Sequence, residues 1–366
     1  MSKAAELAAL IGSGQAQGNR NLIINGAMQV AQRGTSVADP SDGAYGSLDR
    51  FGFFNSNDGA FTISQETTVP SGEGFYNSMK FDCTTADGTI AAGQYATCFQ
   101  NIEGLNNSIL GYGASGAKSV VVSFYAKSNL TGTFCYSIRN SAVDRSFVKE
   151  WSLASANTWE RISFVIEGDT TGTWLATNGL GSRHMIALSQ GSTYHGTNNV
   201  WQTGNKAATS NQVNFLSSTD NELFITGWQV EIGSGAPTAF EHEDFGTTLA
   251  RCQRYYYFSG FGGDIHPGDS DAAAAVDYEG RVMAVHIGSN RHTFFGNFPV
   301  FLRAIPTLTF YSPHDGASAN AENYSGGGNT AISASYSRSR HGLNGYSQTS
   351  TSGDTLTAYL EANAEL

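Results

Sequence analysis

Only 14% of the 366 residues are charged, against about 25% in an average globular chain, while glycine, at 43 residues, is abundant and aromatics reach 12%. That aromatic share excludes a disordered chain, which lacks such buriable area. A net charge of −11 excludes the basic surface that nucleic acid or an anionic membrane face requires, so neither is expected as a partner.

What remains is the profile of a turn-rich all-β protein with neutral polar side chains on its surface. Cys83, Cys98, Cys135 and Cys252 show no metal-ligand spacing and are too few for a disulfide framework. Reduced, buried thiols in a chain made in a cytosol are expected. Residues 1–18 lack a basic start followed by an apolar core, so no secretory signal is expected.

In chain order, residues 2–11 (SKAAELAALI) have helical periodicity. Ala4, Leu7, Ala8 and Ile11 share a face, and Ser2 stands where a cap is needed. A helix this short is not stable alone. Residues 12–18 (GSGQAQG) read as a flexible tether. The helix is therefore expected to be an attachment or oligomerisation element rather than a frayed terminus, with Leu7, Leu10 and Ile11 as its attachment residues.

Residues 21–33 (NLIINGAMQVAQR) open the first globular domain, with a short strand at Leu22, Ile23 and Ile24 and a turn or bulge at Asn25-Gly26. Strands are predicted over residues 60–69, 78–84, 93–101, 118–128, 132–140 and 159–168. Val120, Val122, Phe124 and Ala126 form one apolar face; so do Phe134, Tyr136 and Ile138, and then Ile162, Phe164 and Ile166. Strands at this density predict a sandwich.

Residues 168–212 break the rhythm and read as a long loop carrying Trp174, His184, Tyr194, His195 and Trp201. Its aromatics either cover a neighbouring subunit or satellite core, or form a ligand surface. Residues 223–232 then alternate, with Phe224, Thr226, Trp228, Val230 and Ile232 on one face. Gly233, Gly235 and Pro237 end that strand. A short helix is predicted from about Asp244 to Arg254, and the run Tyr255, Tyr256, Tyr257, Phe258 opens a new strand. Beyond it a hairpin is predicted over residues 272–288, two strands within 294–312, a loop over 313–330, and final strands over 331–338, 342–348 and 355–365.

Few motifs carry chemistry. Residues 111–116 (GYGASG) match the spacing of a dinucleotide loop, but the β-branched run Val120-Val121-Val122 follows where a helix is required. Residues 241–244 (EHED) read as a solvated helix cap rather than a metal cluster. Asp49, Asp82, Glu150, Glu160 and Glu231 are the carboxylates from which a glycosidase pair would be drawn; no catalytic residue, cofactor or metal is predicted.

Two resemblances follow from the order of these segments. NLIINGAMQ, SVVVSFYAK, NTWERISFVIEG and LFITGWQVEIG, in that order over residues 19–240, resemble jelly-roll carbohydrate-binding modules. Where such modules place acidic residues at a structural calcium, this chain has Gly227-Trp228. NRNLIINGAMQVAQRGTS, a later DRF, GWQVEIGSGAPTAFEHEDFGTTLARCQRYYY, FPVFLRAIPTLTFYSP and a terminal AYLEANAEL resemble bacteriophage tail-fibre and receptor-binding proteins.

The resemblances imply a jelly-roll β-sandwich at 19–243 and a linker helix with a smaller, distal β domain at 244–366, preceded by the attachment helix and tether at 1–18. They imply a homotrimeric virion fibre, joined to other virion proteins by its N-terminus and binding host-surface glycan multivalently. A purely structural virion protein is the alternative, and a glycan-degrading enzyme the next. Candidate ligand residues are Trp174, Tyr194 and Trp201 in the first domain, with Tyr324, His341 and Tyr346 in the second.

Overall fold

The computed structural model describes residues 20–261, 266–268, 280–288, 291–323, 328–332, 335–348 and 355–366. The attachment helix with Leu7, Leu10 and Ile11, and the loop residue Tyr324, lie outside the described residues. The chain divides into two compact units. One takes the residues before Val30 and Thr35–Asp244; the other takes Phe245–Leu366 together with the short segment Val30–Gly34.

The first unit is built from β1 (Ser36–Ala38), β2 (Phe51–Asn55), β3 (Ala60–Glu66), β4 (Ser78–Thr85), β5 (Tyr95–Glu103), β6 (Val120–Ser128), β7 (Gly132–Asn140), β8 (Arg145–Leu153), β9 (Glu160–Ile166), β10 (Leu180–Gln190), β11 (Val200–Thr203) and β12 (Glu222–Ile232). They form two six-stranded sheets, ordered β1-β3-β4-β12-β6-β9 and β11-β8-β7-β10-β5-β2. Taken as eight in sequence, β4 to β10 and then β12 place the first, eighth, third and sixth in one sheet. The second, seventh, fourth and fifth form the other. This is the strand order of a jelly roll, and the chain is an all-β protein with a short helix.

The core lies between the sheets. Val120, Val122, Phe124 and Ala126 of β6 face Phe134, Tyr136 and Ile138 of β7, all fully buried. At its centre Trp228 stacks on Phe51 at 5.7 Å and meets Tyr136 edge-on at 5.8 Å. All four cysteines are free and buried.

In the first unit three of the expectations above change. The alternation predicted for residues 223–232 is broken by a bulge. Leu223 and Ile225 face the core, then Trp228 and Val230 do, because register slips between Thr226 and Gln229. Gly227 sits in the left-handed region at φ 63° and absorbs the extra residue. Phe224 and Thr226 therefore lie on the opposite face from Trp228.

Leu22, Ile23 and Ile24 are not a strand. The segment is tied to β12 through Asn21, whose side chain donates to the Trp228 carbonyl at 3.0 Å and accepts from the Val230 amide at 2.9 Å. Asn25-Gly26 does turn, with Asn25 at φ 62°. A Cβ on Gly26 would stand 2.1 Å from the Trp228 carbonyl oxygen, so only glycine fits there.

The third change is the largest. Residues 168–212 are not a single long loop, since they contain β10, the eleven-residue strand between β7 and β5. Its first half, Gly181, Ser182, Arg183 and His184, is polar and so hides it from apolar periodicity. Each polar side chain has a specific partner: Ser182 hydroxyl donates to Asn107, Arg183 Nε to Asn101, and His184 Nδ1 shares a 2.7 Å hydrogen bond with the Tyr136 hydroxyl.

The second unit contains the predicted helix, observed at Phe245–Gln253, and then β13 (Tyr256–Phe258), β14 (Val282–Gly288), β15 (Arg291–Asn297), β16 (Thr307–Tyr311), β17 (Asn320–Asn323), β18 (Asn329–Ala331), β19 (Ser335–Arg338), β20 (Gly342–Gln348) and β21 (Leu356–Asn363). Strands β17 and β18 fall inside the loop predicted over 313–330. Strand β21 organises the unit. Its N-terminal half pairs with β14 and β17, and its C-terminal half pairs with β13 and β16. Leu356, Ala358, Leu360 and Ala362 of β21 are buried with Phe294, Leu308 and Phe310. The segment Val30–Gly34 completes this unit. Gln32 donates to the Tyr256 carbonyl at 2.9 Å, Arg33 lies 3.4 Å from the Tyr256 ring centroid, and Arg33 pairs with Glu365 at 3.4 Å.

Candidate functional site

The outer face of the second sheet carries a pocket of about 150 Å³ lined by Phe54, Tyr95, Thr97, Arg139, Met185, Gln190, Tyr194, Asn205 and Ala207. Strand parity puts the wall residues there. On β2, Phe51 and Phe53 point inward and Phe54 outward. On β5, Ala96, Cys98 and Ile102 enter the core, leaving Tyr95, Thr97 and Phe99 outside. On β7, Arg139 has the opposite parity to Phe134, Tyr136 and Ile138.

The rest of the wall comes from the chain after β10. Gly191 packs so closely that a Cβ would stand 2.0 Å from the Ala91 carbonyl oxygen. A single 3-10 turn, Ser192–Tyr194, follows. The Tyr194 carbonyl accepts from the amides of Ala207 at 2.9 Å and Ala208 at 3.3 Å. Ala208 then buries itself on Cys135, Val148 and Ala187, small side chains that let the loop lie flat on the sheet.

Aromatic rings and arginines dominate the surface. Tyr95 and Tyr194 meet edge-on at 5.1 Å, and Phe54 meets Tyr95 at 5.9 Å. Phe54 stacks on Phe99 at 4.6 Å. Arg183 continues the stack, 4.2 Å from the Phe99 centroid and 4.9 Å from that of Phe54. Arg183 and Arg139 are cross-strand partners in register. Burial, followed by the charge of Arg139, brings Arg183 down to about 10. Burial also lowers Arg139. Both guanidinium groups stay charged near neutrality. Burial and the Asp42 carboxylate, which accepts the Tyr95 hydroxyl at 2.9 Å, push Tyr95 up to about 12.

Of the residues expected from sequence to bind ligand, Tyr194 lines this pocket. Trp174 and Trp201 do not. They form a separate cluster with Tyr112, ring to ring at 5.0, 5.7 and 5.6 Å, packed against the core. Their indole N–H groups are spent inside the loop, on the Thr171 carbonyl at 3.2 Å and the Glu167 carbonyl at 2.7 Å. In the second unit His341 is exposed between β19 and β20, edge-on to Phe301 at 4.6 Å. Tyr346 lies on β20 opposite Thr293 and Ser335. Phe54, Tyr95, Arg139, Arg183, Gln190 and Asn205 were not singled out from sequence. The signal present was the out-of-phase aromatic or arginine on strands whose other phase is apolar.

The carboxylates considered for hydrolysis are separately engaged. Asp82 pairs with Lys80, Glu150 accepts from Asn211 and Thr209, Glu160 accepts from the amides of Ala154 and Ser155, and Glu231 accepts from Thr238. Asp49 is fully buried. Among the described residues, no three His, Cys, Asp or Glu side chains gather as a metal site. Glu241 accepts the Asn21 amide, and His242 packs on Phe75 and Phe240.

No protein-family model matches the chain, and no curated protein matches it. Solved structures to which the chain is similar include a putative sugar-binding protein from Bacteroides thetaiotaomicron, at 15% identity over 58% of this chain and 100% of that one, with a TM-score of 0.33. A family 11 carbohydrate-binding module of a Clostridium thermocellum cellulosomal cellulase has 13% identity over 57% of this chain and 98% of that one, TM-score 0.28. The enzymatically active domain of tailspike protein 4 of bacteriophage CBA120 has 13% identity over 58% of this chain, TM-score 0.30, and the match spans 21% of that domain. The jelly-roll assignment rests on the strand order itself.

Proposed function

We propose that this chain binds glycan through the outer face of its second sheet, as a host-attachment protein of a phage virion. The observation that carries the binding reading is the pocket itself. Aromatic rings from Phe54, Tyr95 and Tyr194 stand beside Arg139, Gln190 and Asn205 in a hollow about the size of a single sugar ring. Rings of this kind pack on the apolar faces of sugars, while amides and guanidinium groups bond the hydroxyls. The Tyr194 hydroxyl has no hydrogen-bond partner among the described residues and is free for a ligand. A single small pocket gives weak affinity, which several copies on one particle would raise by multivalency. The virion setting is supported by the ordered resemblance to tail-fibre and receptor-binding proteins.

Binding without turnover is part of the same reading, supported by the separate engagement of Asp82, Glu150, Glu160 and Glu231. A purely structural virion protein is the second reading, and the packing of Trp174 and Trp201 against the protein's own core favours it. A glycan array probed with the wild type and with Tyr194→Ala separates the two. Glycan binding is expected from the wild type and is expected to fall in the variant at unchanged melting temperature. A wild type that binds nothing on an array of bacterial surface glycans, in multivalent display, overturns the reading.

A further inference from the structure

We propose that the pocket is selective for an acidic sugar, whose anionic group is held by the paired guanidinium groups of Arg139 and Arg183. This rests on the glycan reading above and specifies its ligand class. The two arginines stand directly opposite each other on neighbouring strands. Like charges in that arrangement repel, and here they do so in partly buried positions. Among the described residues the Asp42 carboxylate acts on Arg183 from a distance, and no closer acid faces the pair. Among the described residues neither arginine has a carboxylate within salt-bridge distance; their side-chain partners are neutral amide oxygens, Asn205 for Arg139 at 2.6 Å and Asn101 for Arg183 at 2.7 Å. Each guanidinium carries five donors, so most remain unused. The buried Nε of Arg139 is one of them and has no partner. The Asp42 carboxylate, which accepts the Tyr95 hydroxyl, makes no salt bridge to either arginine and leaves their remaining donors open.

A chain with net charge −11 keeps Arg139 in the pocket wall and Arg183 beside it on the next strand, with no carboxylate of the described residues in salt-bridge contact with either. An incoming oxyanion would satisfy both. Arginine forks match the planar carboxylate of a uronic or nonulosonic acid bidentately, and a sulfate ester presents similar oxygens. Phe99 and Phe54 hold the Arg183 plane by stacking, which lowers the ordering cost of such a contact. The rings of Tyr95 and Tyr194 then remain for the sugar body. Neutral glycans lack the group that would relieve the arginine pair.

Titration of the full chain with glucuronic acid, N-acetylneuraminic acid and galactose 6-sulfate, each beside glucose and galactose, tests this. At least one acidic sugar is expected to bind about tenfold or more tightly than the neutral ones. Its advantage is expected to shrink as salt is raised. The better of carboxylate and sulfate identifies the source of the anion. Arg183→Gln is expected to abolish the acidic preference while neutral sugars bind as before; Arg139→Gln, which also removes a pocket-lining donor, is expected to abolish the preference and to weaken neutral sugars as well. Arg139→Lys should restore part of it if charge is what matters. Equal affinity for neutral and acidic sugars in the wild type overturns the acidic assignment and leaves the glycan reading standing. Preference that survives in either glutamine variant also overturns it. Failure of every sugar to bind overturns both.

Discussion

Single residues decide whether an aromatic in this chain recognises a ligand or fills space. Trp174, Tyr194 and Trp201 look equivalent in sequence, as aromatics among Gly, Thr and Asn. The structure separates them by what their polar atoms do. Both indole N–H groups are spent on backbone carbonyls, while the Tyr194 hydroxyl is open. Trp201→Ala is therefore expected to lower the melting temperature by several degrees, with sugar affinity per folded molecule unchanged. Tyr194→Ala is expected to cost about 1 kcal/mol or more of sugar affinity with little change in melting temperature. Paired calorimetric and binding measurements on both variants check this; reversal of the two patterns would exchange their roles.

His184 gives a pH prediction at the same scale. Burial lowers its pKa from the usual 6.5 to about 3, and its Nδ1 is held by the Tyr136 hydroxyl. Between these values the unfolded chain binds the proton and the folded chain does not. The stability His184 confers is complete above about pH 6.5 and is lost progressively as pH falls toward 3. Replacing it by glutamine removes that titration. The fall in melting temperature between pH 7 and pH 4.5 is expected to be smaller in His184→Gln than in the wild type. An equal fall in the two proteins would assign the acid sensitivity to other groups.

At the scale of elements, the legible strands were those with strict apolar alternation. Strands β6, β7 and β9 carry Val120, Val122 and Phe124, then Phe134, Tyr136 and Ile138, then Ile162, Phe164 and Ile166. Strand β10 was not legible, because its inward positions include Ser182 and His184, which bond Asn107 and Tyr136, partners distant in sequence. The bulge at Gly227 was also hidden. A glycine in an alternating run is compatible with either phase, and only the packing of Trp228 against Phe51 and Tyr136 fixes the slip. The pocket was legible at one residue, Tyr194. Its other walls depend on which strands β10 and β5 pair with, which no local pattern records.

The bulge makes its own prediction. Gly227 has φ 63°, and a Cβ there would stand 2.6 Å from the Phe75 ring. Left-handed backbone alone costs a residue with a Cβ about 1–2 kcal/mol, and the clash adds to it. Gly227→Ala is expected to shift the denaturation midpoint downward by at least that equivalent. A neutral result would mean the bulge can relax into regular pairing.

At the scale of the whole molecule, the chain order and the two units do not coincide. Val30–Gly34 precedes most of the first unit yet belongs to the second, where Gln32 and Arg33 engage Tyr256 and Glu365. A fragment of residues 245–366 alone lacks that segment. It is expected to be less stable than the same fragment with residues 30–34 fused through a flexible linker, as thermal melts would show. We also expect a homotrimer, as the resemblance to virion fibres implies. Light scattering is expected to return three times the 38.9 kDa protomer, and a monomer persisting at high concentration would rule it out.

The claim on which the functional account depends is that sugar binds in the pocket walled by Tyr95 and Tyr194 on the outer face of the second sheet. A crystal structure of the full chain with the best-binding oligosaccharide tests it most directly. The account predicts one sugar ring in that pocket, against the tyrosine rings and within hydrogen-bond distance of Arg139, Gln190 or Asn205. Sugar bound at another surface, such as the His341 turn of the second unit, with this pocket empty, would contradict it.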